Sequence, residues 1–396
     1  MRVEAWQWQL IALLRGGLVD EPITLHTAPD IEALTDAAVR QGIVVPVFCG
    51  LLGTGFAAGS PEMTPLLQAY GNALYMVEEQ QRELAVLFAD FAAAGVDYMP
   101  LKGAALRALY ARPELRSMGD IDVLIRVPQY ADAAAVLLRR GFSCVQESAH
   151  EWIFEKDMLR VELHKCLFPP YERALYAYFG DGFAHAVSAG EHRFSLTDTA
   201  EFVYLFAHFA KHYQNGGVGL RQLADLWVYR RKKAVDERAA EGAFAELGLA
   251  VFYRHIETVL AVCFDGAPLA EDDRHTPFIL DFLLSGGSFG TPKETRAAAA
   301  ARTGGESTGA IRAHRVGHLL FPPLSDMQLH YKALKKAPLL LPLFWTVRGV
   351  RTLLCTPKKL YSRLRGVCEL NAAAADDHRA ALAFVGLADD GGAEHG

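Results

Sequence analysis

Apolar and charged residues alternate over two short stretches of this chain, Asp120-Ile121-Asp122-Val123-Leu124-Ile125 and Arg160-Val161-Glu162-Leu163-His164. Side chains two apart on a strand share one face. Ile121, Val123 and Ile125 are therefore expected on one side of a first strand, with Asp120 and Asp122 together on the other. The second stretch repeats the pattern, with Val161 and Leu163 turned inward and Glu162 and His164 opposite them.

Around these stretches, runs of residues with strand propensity alternate with helical ones. Strands are expected at 96–101, 121–127 and 142–146, and a hairpin from 152–155 and 159–165 around Lys156-Asp157-Met158. Short helices are expected at 103–110 and at 129–140, the latter stopped by Gly141. The flanking parts read as helical. Residues 66–94 form a long stretch of helix formers. Asp198-x-x-Glu201 opens a helix in the manner of a capping box. Leu220, Leu223, Ala224, Trp227 and Val228 make a stripe at helical spacing. The expected organisation is a helical region 1–95, an α/β core 96–170, a helical region 171–370 and a disordered tail 371–396. Residues 286–306, rich in Gly and Ala, are expected to be a linker. Strands gathered between helical flanks predict an α+β fold.

Composition narrows the class. The chain has 396 residues, 51% hydrophobic and 22% charged, as in an ordinary folded protein. A formal charge of −6 argues against a generally basic nucleic-acid binder. Six cysteines without a Cys-x-x-Cys pair suggest reduced, mostly buried thiols and a cytoplasmic setting. The opening MRVEAWQWQL carries no long apolar run of a signal peptide. No stretch has the length of a spanning helix. The closest, 337–350, is interrupted by Pro342 and flanked by Lys335, Lys336, Arg348 and Arg351. A buried helix with solvated ends is expected there, and a peripheral membrane contact is the alternative.

Two carboxylates held together repel, so one must protonate or a cation must sit between them. Asp120 and Asp122 suit an oxygen-liking ion such as Mg²⁺ or Mn²⁺. Glu162 completes an acidic triad if its strand lies beside theirs, and three carboxylates can hold two metals for phosphoryl displacement. Upstream, Lys102-Gly103 at a strand-to-helix turn would let phosphate approach the backbone, with Lys102 adding a point charge. Arg116 is the nearest cation before the acidic pair. Arg221 and Asp225 are one helical turn apart, which by itself predicts an i,i+4 ion pair. His208 and His212 share that spacing, but Phe209 stands where a metalloprotease helix carries Glu, so packing or phosphate contact is expected of them. No Gly-x-x-x-x-Gly-Lys-Ser/Thr loop and no Gly-x-Ser-x-Gly elbow occurs.

Taken together, Leu101-Lys102-Gly103, Tyr110, Arg112, the stretch Arg116 to Leu124, Glu162 with His164, and the helix with Arg221 and Asp225 resemble the uncharacterised nucleotidyltransferases of the DNA-polymerase-beta-like superfamily. The resemblance implies a small mixed sheet with helices on one side, and Arg221 and Asp225 facing the nucleotide. It implies catalysis by Asp120, Asp122 and Glu162, which would also hold the metal, and nucleotide binding by Lys102, Gly103, Arg116, Arg221 and Asp225. The expected reaction moves an NMP from an NTP, ATP by expectation, to an unidentified acceptor hydroxyl with release of pyrophosphate. Ala104, where the superfamily carries Gly or Ser, keeps open a second reading, a catalytically inactive nucleotide-binding or regulatory module.

Overall fold

The computed structural model describes residues 3–56, 59–148, 150–287, 290–302, 307–324, 327–328, 331, 333–355 and 364–387. They form two compact units, 1–213 with 217–290, and 214–216 with 291–396. The expected boundaries at 95/96 and 170/171 fall inside the first unit.

The first unit begins with helices α1 (Ala5–Val19), α2 (Ile31–Gln41), α3 (Val44–Gly53) and α4 (Thr64–Ala93). Pro65 sits in the first turn of α4, where its missing N–H costs nothing. There follow β1 (Tyr98–Pro100), α5 (Lys102–Leu106), β2 (Ile121–Ile125), α6 (Tyr130–Arg139), β3 (Ser143–Glu147), β4 (Glu151–Lys156) and β5 (Leu159–His164). The five strands make one mixed sheet in the order β1-β2-β5-β4-β3. β2 and β5 pair in parallel, with Asp122 opposite Glu162 and Leu124 opposite His164; the other pairings are antiparallel. Pro100 is tolerated because β1 is an edge strand.

The alternation of the two central strands decides what each face of the sheet does. Ile121, Val123, Ile125, Val161 and Leu163 join Leu84, Leu87 and Phe91 of α4 and Tyr130, Ala133 and Leu137 of α6 in one apolar core. The opposite face carries Asp122, Glu162 and His164. Beyond the sheet lie α7 (Arg173–Phe179), the short hairpin β6 (Ala186–Ser188) and β7 (Phe194–Leu196), and helices α8 (Asp198–Gln214), α9 (Leu220–Lys232), α10 (Glu237–Glu246), α11 (Ala250–Phe264) and α12 (His275–Gly286). The chain is therefore α+β, a small mixed sheet flanked by helices.

Several local expectations are corrected. Asp198 and Glu201 do not form a capping box. Thr197 caps α8, its hydroxyl accepting from the Ala200 N–H at 3.3 Å. Asp198 instead accepts from Lys233 Nζ and the Ala234 N–H, and Glu201 from the Tyr229 hydroxyl. The expected linker 286–306 contains helix α13 (Pro292–Ala301), started by a capping box between Thr291 and Glu294. The expected disordered tail begins with a helix, Ala372–Phe384, capped by Asn371 and burying Ala375, His378 and Leu382. Both stretches are rich in alanine, the best helix former once a cap starts the turn. The second unit also contains α14 (Thr308–Leu320), and Ala300, Ala301, Ile311, Leu370 and Ala375 form a small core in it. The helix Leu341–Cys355 is not buried as expected: none of residues 341–352 is. Of the cysteines, Cys166 and Cys263 are buried, but Cys144 and Cys368 are exposed.

Candidate active site

The polar face of the sheet lines a cavity of about 300 Å³, closed on the other side by residues of α8 and α9. Asp122 is 2% exposed, since it belongs to a strand buried along its whole length. Its Oδ1 receives Lys102 Nζ at 2.7 Å and lies 2.8 Å from His164 Nε2. His164 Nε2 is in turn 3.8 Å from Glu162 Oε2. Asp122, Glu162 and His164 thus offer three ligand atoms within 4.8 Å of one another, a group that could hold a metal ion. Asp120 lies outside this group and lines the same cavity.

Charge is distributed unevenly over these carboxylates. Burial alone would raise the Asp122 pKa, but Lys102 and then His164 hold its carboxyl well below the usual range. Burial raises Glu162, and the neighbouring Asp122 and Asp120 raise it further. Asp120 is raised by burial and by Asp122. Lys102 is held charged by Asp122 despite its own burial. Its backbone adopts a left-handed conformation, φ +45°, uncommon for a residue with a side chain. Gly103 beside it is fixed by a close approach: an added Cβ would lie 2.3 Å from an Arg116 guanidinium nitrogen and 2.6 Å from Met118 Sδ.

Arg116 and Asp225 form a buried, two-pronged ion pair, Nε to Oδ1 at 3.1 Å and Nη2 to Oδ2 at 2.8 Å. The Tyr110 hydroxyl donates to the same carboxylate at 2.7 Å. The i,i+4 pairing expected between Arg221 and Asp225 is replaced by this longer-range one. Arg221 reaches Ser117 O at 3.4 Å through Nη1, and its Nε is buried without a hydrogen-bond partner. Burial and the nearby Arg116 push the Arg221 pKa down to about 10. An anion would relieve both conditions.

A match to the family model of uncharacterised nucleotidyltransferases runs over residues 27–265, more than half of the chain. The chain belongs to this family. No curated protein and no solved structure matches it significantly. The family is one of transferase enzymes, so nucleotidyl transfer is the general role. The matched span includes every residue of the cavity.

The transferase brings Lys102, Gly103, Arg116, Asp120, Asp122, Glu162, Arg221 and Asp225 to one cavity. His164, expected on the strand face of Glu162, also stands in direct contact with Asp122. Sequence reasoning passed over Glu151, which pairs with His164 across the β4–β5 hairpin, its Oε2 lying 3.6 Å from His164 Nδ1. The register of that hairpin was the available signal. His208 and His212 line the cavity with their Nε2 atoms 3.1 Å apart. Burial, then Lys102 and Lys211, push His212 down to about 4, and burial holds His208 well below its usual value, so both are neutral at neutral pH. This arrangement is a hydrogen-bonded imidazole pair.

Proposed function

We propose that the transferase moves a nucleoside monophosphate from an NTP to an acceptor hydroxyl at this cavity. The observation that carries the reading is the parallel pairing of β2 and β5, which sets Asp122 against Glu162 inside a cavity lined by Lys102, Arg116 and Arg221. The donor set fits a divalent cation. Two carboxylates and an imidazole offer ligand atoms within 4.8 Å of one another, and such a mixed set suits Mn²⁺ as well as Mg²⁺. Asp122, Glu162 and His164 would hold it, and Asp120, on the same cavity, would be a further ligand. Bound there, the ion would neutralise phosphate charge and align the attacking and leaving oxygens.

The remaining roles belong to the chain itself. Arg221 offers its unpartnered Nε to a phosphate oxygen. Lys102, now paired with Asp122, is placed to exchange that carboxylate for a phosphate beside Gly103. Arg116 and Asp225 hold the strand entrance and α9 in fixed relation. The acceptor oxygen forms a bond to the α-phosphorus, the bond to pyrophosphate breaks, and Glu162 takes the hydroxyl proton. A carboxylate can serve as such a base. Catalysis is then positioning and charge neutralisation.

The test is incubation with each [α-³²P]NTP, Mg²⁺ or Mn²⁺, and cell lysate as the acceptor pool. Label should pass to a lysate component, and Glu162→Gln or Asp120→Asn should reduce it by about 10³-fold or more while the fold is kept. Unchanged labelling by both variants would sink the assignment. Protein packed against Gly103 favours the second reading, a nucleotide-binding module without turnover. Metal-dependent nucleotide binding with no labelled product from any NTP would select it.

A further inference from the structure

The 42 residues between Asp326 and Glu369 contain nine Lys or Arg and no acidic residue, in a chain whose formal charge is −6. With 46 acidic residues in 396, a stretch of that length would ordinarily hold about five. The helix Leu341–Cys355 lies inside it. One side of this helix packs within the second unit, on the end of α14 and the residues after it. Trp345 Nε1 donates to Pro322 O at 2.9 Å, Trp345 packs edge-on against Phe321, and Arg348 donates to Leu319 O at 2.8 Å. The other side presents exposed apolar residues, uncovered among the described residues. Leu339 in the preceding turn is 95% exposed, Leu343 57%, Val347 44% and Val350 51%. Their spacing of four, four and three residues makes one stripe along a helix.

An exposed apolar stripe bordered by cations, with no anions among them, has a specific complement. We propose that this face docks on an anionic lipid surface, the helix Leu341–Cys355 lying in the headgroup plane. Leu343, Val347 and Val350 enter the acyl boundary, while the exposed Lys336 and Arg351 meet lipid phosphates. Among the described residues no helix is long and apolar enough to cross a membrane, so the contact is peripheral. A nucleic acid would use the charge and leave the leucines and valines in water. This inference stands independently of the catalytic reading.

The full-length protein is floated with vesicles of about three parts phosphatidylcholine to one part phosphatidylglycerol, and with pure phosphatidylcholine vesicles. It should float with the anionic vesicles and not with the neutral ones. Leu343→Asp/Val347→Asp and Lys336→Glu/Arg351→Glu should each lower the bound fraction about tenfold or more. These side chains are exposed, so melting curves should stay unchanged. If the Asp pair unfolds the unit, Leu343→Ser/Val347→Ser repeats the test more mildly. Absence of flotation, or flotation indifferent to both apolar variants, overturns the proposal. So does a concentration-dependent dimer, seen by light scattering in place of flotation and lost in Leu343→Asp/Val347→Asp. That result would assign the stripe to a second copy of the chain.

Discussion

Arg116 and Asp225 show what a single pair does in this molecule. Both side chains are buried, 6% and 7% exposed, and the Tyr110 hydroxyl adds a third hydrogen bond to the carboxylate. Removing Asp225 leaves Arg116 as an uncompensated buried charge, because a guanidinium does not give up its proton. Asp225→Ala is expected to cost about 3–5 kcal/mol in urea unfolding. Arg116→Met/Asp225→Leu, which removes both charges, should cost clearly less than that single change. A double variant as unstable as Asp225→Ala would mean that the pair is not the source of the loss. Both residues were legible in the sequence as site residues, but their partnership was not. An i,i+4 spacing names neighbours on one helix, whereas Asp225 takes its partner from a loop 109 positions earlier. His164 was legible for the opposite reason: alternation alone puts it on the face of Glu162, and only the parallel register adds its contact with Asp122.

At the scale of elements, periodicity succeeded where one face is buried, and composition failed where it stood in for structure. β2, β5, α4 and α6 each have an apolar face in the common core, so their patterns carried the sheet and its orientation. Helices α13 and Ala372–Phe384 are short and alanine-rich, and only their caps, Thr291 and Asn371, distinguish them from loops. The junction of α8 and α9 carries a pH dependence that can be signed. Burial pushes the Glu201 carboxyl up to about 7 from the ordinary 4.5, opposed by the Tyr229 hydroxyl and Lys233 and assisted by Asp198. A raised folded-state pKa means that the native chain binds this proton more tightly than the unfolded one. The contribution is therefore complete below pH 4.5 and is lost as pH rises through about 7. The full loss is about 3 kcal/mol. Measured as the difference between wild type and Glu201→Gln, which cancels other titrating groups, stability should fall by that order from acid to mildly alkaline pH. A flat difference would show that Glu201 does not gain the proton on folding.

For the whole molecule, the catalytic reading makes a thermodynamic demand that needs no acceptor. A ligand that binds only the native chain stabilises it by RT ln(1 + [L]/Kd), about 2.7 kcal/mol at a hundredfold excess over Kd. The carboxylate pair and the half-satisfied Arg221 belong to the folded arrangement of β2, β5 and α9, since residues so far apart in sequence have no common geometry in the unfolded chain. A nucleotide with Mg²⁺ or Mn²⁺ should therefore raise the melting temperature by a few degrees. The two components should also act together. Nucleotide alone brings its phosphates to Asp122 and Glu162 without a cation to bridge them, and metal alone leaves the Arg221 side of the cavity without its anion. Their joint shift should exceed the sum of the separate ones. Glu162→Gln should remove the metal-dependent part while leaving the shift caused by nucleotide alone. Additive shifts, or a metal effect untouched in Glu162→Gln, would place the ion somewhere other than the face shared by β2 and β5.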